Sequence, residues 1–464
     1  MRQRSWLISC GIVLVICFVL ACTFVSILVS VGWAAIREIP TGISTFPPIK
    51  IGLATPTATP QVFRPTIQPT SQPTRTAKPT PEPSQSNPLP TLDPEASPTQ
   101  TNARSNGIPS DTLNILENTH IPVVDLIDLA RRLQGIENIP QTLEPPARPF
   151  VVGDQQTFWA TNIDTNESFQ VQAVLRYVTD HLYFWIEDGV PYRSNELRAL
   201  AETFEQNIYP TNRAFFGSEW TPGVDSDPHL YILYARGLGS SLAGYYSSAD
   251  QVPPQAHEYS NAHEMFLLNA DNIELGEKFT YGVLAHEFQH MIHWYGDRNE
   301  TSWLNEGFSE LASFLNGYST GGFDRIYARD PDLQLNDWPN DSRATRPHYG
   351  ASFLFVTYFL DRFGSGATQA LVAHEENGMA SIDAVLAELG IQDPLTRQTI
   401  TADDIFADWV VASYLQDKSV GDGRYTYHNY PAAPQPDETE TIEACPTEPL
   451  TRQVSQYGVD YIRI

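Results

Sequence analysis

Ala285-His286-Glu287-Phe288-Gln289-His290-Met291-Ile292-His293-Trp294 decides how the rest of the chain is read. It sits in a proline-free, apolar-rich run from Phe279 to Tyr295, which predicts a helix. Residues four apart on a helix face the same way one turn up. His286 and His290 therefore present two imidazoles to one Zn²⁺ at about 2.0 to 2.1 Å, with Glu287 beside them to take a proton from water. His293 lies about 10 Å along the axis from His286 and cannot close the same coordination sphere. Near Gly296, where the helix ends, it is expected to interact with the last carbonyls. The third ligand is sought in Trp303-Leu304-Asn305-Glu306-Gly307-Phe308-Ser309-Glu310, on a helix predicted over Ser302 to Leu315. A tight hairpin across Gly296 to Thr301 puts Glu306 level with His290, which selects Glu306. Asp297 and Glu300, in the hairpin itself, are next in line.

These residues resemble a known family. His286-Glu287-x-x-His290 followed by Asn305-Glu306-x-x-Ser309-Glu310 looks like the gluzincin arrangement of thermolysin-like zinc metallopeptidases, and the wording around it is closer to hyicolysin-like neutral peptidases. The resemblance implies His286, His290 and Glu306 as zinc ligands, Glu287 as general base, and Glu310 as the acceptor that orients a ligand histidine. It also implies an oxyanion donor at a helix start, for which Tyr349 in His348-Tyr349-Gly350-Ala351 is the candidate and His348 the alternate. Packing of Tyr349 beside Phe353 is the structural account of the same spacing. Glu at 310 and the short separation of the two helices depart from thermolysin, so its substrate preference does not carry over. The resemblance spans about Phe150 to Gln416, weakly outside the two helices.

Around this core, aromatic and β-branched runs predict strands at Gln155 to Thr161, Glu167 to Val178, His181 to Glu187, His229 to Ala235 and Glu264 to Asn269. Helices are predicted at Pro122 to Leu133, Asn195 to Gln206, His348 to Phe363, Ser381 to Leu389 and Asp403 to Gln416. Strands first and helices second describe an α+β domain, zincin-like by resemblance, with a sheet-containing N-terminal lobe and a helical C-terminal lobe. Met265 to Leu268 stand where such folds place the edge strand that pairs with an extended peptide, although core packing explains them equally well. A final strand is expected at Gln456 to Ile462.

Before residue 111 the composition changes. Trp6 to Ile36 carries no charged side chain, and as a helix it would be about 46 Å long, enough for one membrane span. Arg2 and Arg4 precede it and Glu38 offsets Arg37, which places the N-terminus in the cytoplasm and the rest outside. A cleaved signal peptide, or lipidation of Cys22, is the competing account. Fourteen prolines between 47 and 98 exclude a ladder or a packed helix, giving a disordered stalk. The resulting organisation is a cytoplasmic tail at 1–5, a signal anchor at 6–36, a linker at 37–110, a short helical segment at 111–143, a catalytic domain at 144–416 and a tail at 417–464.

Only four of the 55 acidic residues, but eight of the 28 basic ones, precede residue 111, so the remainder holds 51 acidic and 20 basic residues and carries a net charge of −31. That excess repels a phosphate backbone and excludes a general nucleic-acid binder. Cys10, Cys17 and Cys22 lie in the apolar run, leaving Cys445 alone; no intrachain disulfide staples the domain and no nearby thiol caps the metal. Asp225 with Asp227, and Asp330 with Asp332, are acid pairs of the type that holds Ca²⁺, but a solvated surface accounts for them, as packing does for His229, His257, His263 and His374. The reading is a membrane-anchored extracellular zinc endopeptidase acting on peptide or protein substrates. A surface-displayed binding module that keeps the zinc fold without turnover is the competing class, and Glu287 argues against it.

Overall fold

The computed structural model describes residues 123–464 except 320, 342, 445–448 and 450, together with 112, 114, 115 and 119. The anchor, the stalk and Cys445 lie outside the described residues. Among the described residues no helix is long and apolar enough to cross a membrane.

A six-stranded sheet organises the first half. Its strands are β1 (Gln155–Asn162), β2 (Glu167–Val178), β3 (Leu182–Glu187), β4 (Leu230–Ala235), β5 (Gly244–Tyr246) and β6 (Met265–Asn269), in the order β1-β2-β3-β4-β6-β5. The first three are an antiparallel meander, β3, β4 and β6 are parallel, and β5 returns antiparallel along β6. Alternation sorts the side chains of the inner strands onto two buried faces. Phe184, Ile186, Ile232, Tyr234, Phe266 and Leu268 join the core shared with the helices. Tyr183, Trp185, Tyr231, Leu233, Met265 and Leu267 form a second core with Phe158 and Val171. The prediction of Met265 to Leu268 as an edge strand is therefore corrected: β6 is interior, with both faces buried, and the edge on that side of the sheet is β5. Three residues, one of them Gly244, carry too little periodicity for β5 to be seen in the sequence.

Among the described residues from 123 onward the α-helices are α1 (Leu126–Gln134), α2 (Ser194–Thr203), α3 (Tyr209–Phe216), α4 (Lys278–Gly296), α5 (Ser302–Leu315), α6 (Phe323–Ala328), α7 (Thr345–Val372), α8 (Gly378–Glu388) and α9 (Ala402–Leu415). Asp125 starts α1 by accepting from the backbone N–H groups of Ile127 and Asp128, and Gly135 ends it in the left-handed conformation. α2 runs through a π-helical turn, Phe204–Ile208, into α3, so the predicted helix ends later than its pattern suggested. α7 kinks at Gly364, whose φ is 77°, one residue past the predicted end.

Two close approaches fix the helical layer. A Cβ on Gly307 of α5 would lie 3.0 Å from the Ser352 carbonyl of α7, and one on Gly350 would lie 2.1 Å from the Phe323 carbonyl. Glycine at these positions lets α7 press its first turns against α5 and α6, carrying Tyr349 with it. The tail after 417 is irregular, as expected, yet it packs: Tyr427 is buried and its hydroxyl accepts from Trp409 Nε1 at 2.8 Å. Ile462–Arg463 is all that forms of the predicted last strand, paired with Glu440–Thr441.

Candidate metal centre

α4 runs beneath the sheet with Leu284, Ala285, Phe288, Met291 and Ile292 buried, and α5 lies beside it with Trp303, Leu304, Phe308 and Leu311 buried. Polar contacts lock their register. Ser313 Oγ donates to the Gly282 carbonyl at 2.7 Å, and Ser309 Oγ donates to Gln289 Oε1. The predicted residues meet in this seam. His286 Nε2 and His290 Nε2 are 3.1 Å apart, and Glu306 Oε2 lies 3.2 Å from the first and 3.4 Å from the second. A tetrahedral ion with ligands at about 2.0 to 2.1 Å requires ligand-to-ligand edges of about 3.3 Å. The three atoms already have that spacing, so the donor set fits Zn²⁺ without rearrangement.

Hydrogen bonds aim both imidazoles. Glu310 Oε1 lies 3.3 Å from His286 Nδ1, and Asn305 Oδ1 lies 3.0 Å from His290 Nδ1. Both oxygens only accept, so each Nδ1 carries a hydrogen and Nε2, which faces the seam, is the nitrogen left to ligate an ion. Asn305 belongs to the α5 motif, and its role is legible only once α4 and α5 are side by side.

The site's electrostatics call for positive charge. Burial alone would raise the Glu306 carboxyl, but the two histidines more than offset it and hold it below the ordinary carboxylate range. Burial works against a charged His286, yet its bonds to Glu306 and Glu310 push its pKa well above normal. Glu287, 7% exposed, is raised by burial despite the neighbouring histidines, and the Tyr246 backbone N–H donates to its carboxylate. Tyr246 belongs to β5, so the sheet edge and Glu287 are joined directly.

Tyr349 lies at the same seam, with its ring centroid 6.1 Å from that of His286 and its hydroxyl bonded to the Glu306 side chain. Trp338 at 4.9 Å and Phe323 at 5.3 Å hold the ring. Burial and then the three carboxylates keep this phenol protonated, well above its usual pKa. The alternate, His348, packs on Trp338 and bonds the Asp337 backbone, and burial lowers its pKa.

Two expectations away from the centre are corrected. Asp225 and Asp227 are not a solvated pair: both are buried, 2.7 Å and 2.5 Å from the rings of His263 and His229. Those histidines stack on Tyr231 and Tyr183, so packing accounts for them as anticipated. His293 does not engage the last carbonyls of α4 through its ring; it is 1% exposed and its Nδ1 lies 3.1 Å from Asn305 Oδ1. Only five residues, 297–301, join the two helices, so α5 covers the end of α4 and draws His293 inward.

No protein-family model matches the chain. Among curated proteins it is similar to the neutral metalloprotease ShpI of Staphylococcus hyicus, 25% identical over an alignment of 279 positions that covers 52% of this chain and 56% of that protein. The chain thus spans about half the length of that relative. Among solved structures it is similar to an M1 zinc metallopeptidase of Deinococcus radiodurans, with 10% identity, a TM-score of 0.31, and coverage of 56% of this chain and 61% of that one. A point mutant of the same enzyme matches at 11% identity and a TM-score of 0.30, covering 52% and 59%. Structural likeness at that level carries no weight.

Proposed function

We propose that the chain is a zinc-dependent peptidase that hydrolyses peptide bonds in proteins or peptides. The observation that carries this reading is the convergence of His286 Nε2, His290 Nε2 and Glu306 Oε2 at 3.1 to 3.4 Å, with Glu287 buried beside them. Similarity to a neutral metalloprotease supports it. Bound by those three residues, Zn²⁺ supplies Lewis acidity toward a carbonyl oxygen and lowers the pKa of water. The Glu287 carboxylate accepts the proton of the attacking water and returns it to the departing amide nitrogen; its raised pKa suits it to both directions of transfer. Glu310 and Asn305 hold the imidazoles in the tautomer that leaves Nε2 free to ligate. The outer edge of β5 pairs with no other strand among the described residues, and it lies where a substrate strand can add to the sheet next to Glu287.

Tyr349 donates its hydroxyl hydrogen to the oxyanion that forms on the scissile carbonyl. Tyr349→Phe should therefore lower kcat about 10² to 10³-fold with little change in KM or Tm. A kcat within about threefold of the parent enzyme rejects this role, since the ring alone would then account for the residue.

The charge-free run from Trp6 to Ile36 supports a single-pass anchor that leaves the catalytic domain outside the cell. The expected result is retention in the membrane fraction after carbonate extraction, with the domain released by protease added to intact cells. A chain recovered in the soluble fraction contradicts it.

A further inference from the structure

One turn beyond His290, a second set of donors converges. One ligating atom each from His293, Asp297 and Glu300 lies within 4.8 Å of the others. His293 is 1% exposed and Asp297 8%, and Glu300 is half-buried. Each of the three uses one polar atom to fix its side chain and leaves the other unpartnered. His293 Nδ1 is held by Asn305 Oδ1 at 3.1 Å. Asp297 Oδ1 accepts from the Asn299 N–H at 3.2 Å. Glu300 Oε1 accepts from the N–H and hydroxyl of Thr301 and from the Gly378 N–H. What remains is His293 Nε2, Asp297 Oδ2 and Glu300 Oε2, all buried and all without a hydrogen-bond partner.

Three orphaned buried acceptors on side chains that come this close are costly: each forfeits its hydration, and two carboxylates also repel each other. Arg298, between the two acids in sequence, instead stacks on Trp294, 4.5 Å from the ring centroid. Among the described residues no lysine or arginine ion-pairs with either acid. A divalent cation removes all three deficits at once.

We propose that His293, Asp297 and Glu300 bind a second divalent metal ion, structural rather than catalytic, for which Zn²⁺ is the best match. An imidazole nitrogen with two carboxylates suits a transition ion; Ca²⁺ and Mg²⁺ take oxygen ligands in larger number. Its place in the fold gives it a task. His293 is on the last turn of α4, whereas Asp297 and Glu300 are in the hairpin that sets the height of Glu306 on α5. The ion clamps that hairpin. Asn305 Oδ1 accepts from both His290 Nδ1 and His293 Nδ1, so one side chain sets the tautomer of a ligand in each site.

The test is metal counting on the full-length chain, purified in detergent, saturated with Zn²⁺ and freed of excess before elemental analysis. The wild-type chain should hold two zinc ions, Asp297→Asn with Glu300→Gln one, and Glu306→Ala one. A single ion in the wild type that disappears in Glu306→Ala overturns the second site and leaves the first. A single ion that survives Glu306→Ala but is lost with Asp297 and Glu300 supports the second site and overturns the first. Two ions retained in the Asp297→Asn, Glu300→Gln variant also overturn the proposal. If that variant does not fold, the wild-type count and Glu306→Ala decide the question by themselves.

Discussion

Glu287→Gln should reduce kcat/KM for peptide hydrolysis by about 10³ to 10⁴-fold while the zinc content stays at its wild-type value. The amide preserves the shape of the side chain and still accepts the Tyr246 N–H through its oxygen. It has no basic oxygen to take up the proton of the attacking water. Because Glu287 is beside the ligand set and not part of it, the three atoms at 3.1 to 3.4 Å remain in place. The pairing of lost turnover with retained metal is the signature of a base. Substantial residual activity would show that the proton goes elsewhere, and loss of metal would show that Glu287 ligates.

Glu306→Ala should remove the ion and the activity together. It deletes the only oxygen ligand among the three and leaves two histidines next to Glu287 and Glu310 with nothing to bridge them. Zinc held by two neutral imidazoles is weakly bound, so peptide hydrolysis should fall to background and should not return on adding equimolar zinc. Unchanged zinc affinity at this site would mean that another residue completes the sphere. The variant also separates the two ion sites, since His293, Asp297 and Glu300 remain intact in it.

The part of the site legible in the sequence was the part fixed by helix periodicity. Two histidines at i and i+4 share a face in any helix, so their convergence required no tertiary information. Glu306 required only one further assumption, a tight hairpin, and the five residues between α4 and α5 impose it. Glu310 and Tyr349 came through resemblance. What stayed hidden depends on contacts between segments that the sequence does not link. Asn305 reaches two histidines of another helix, β5 is defined only by pairing with β6, and His293 becomes a candidate ligand only when the hairpin folds Asp297 and Glu300 back over it. Asp225 and Asp227 looked solvated because buried acids are rare, and histidines distant in sequence or stacked on tyrosines are what make their burial tolerable. The strand pattern read well because the inner strands are buried on both faces and rich in aromatic residues, whereas α3 and α6, at eight and six residues, are too short to show a period.

The most direct test of zinc-dependent peptide hydrolysis is digestion of an unstructured protein by the purified chain, with the cuts mapped by mass spectrometry before chelation, after it, and after zinc is restored. The account predicts internal cuts that vanish on chelation, return with zinc, and are absent throughout in Glu287→Gln. Folded, zinc-loaded chain that makes no cut, or cuts that persist without metal, would contradict it.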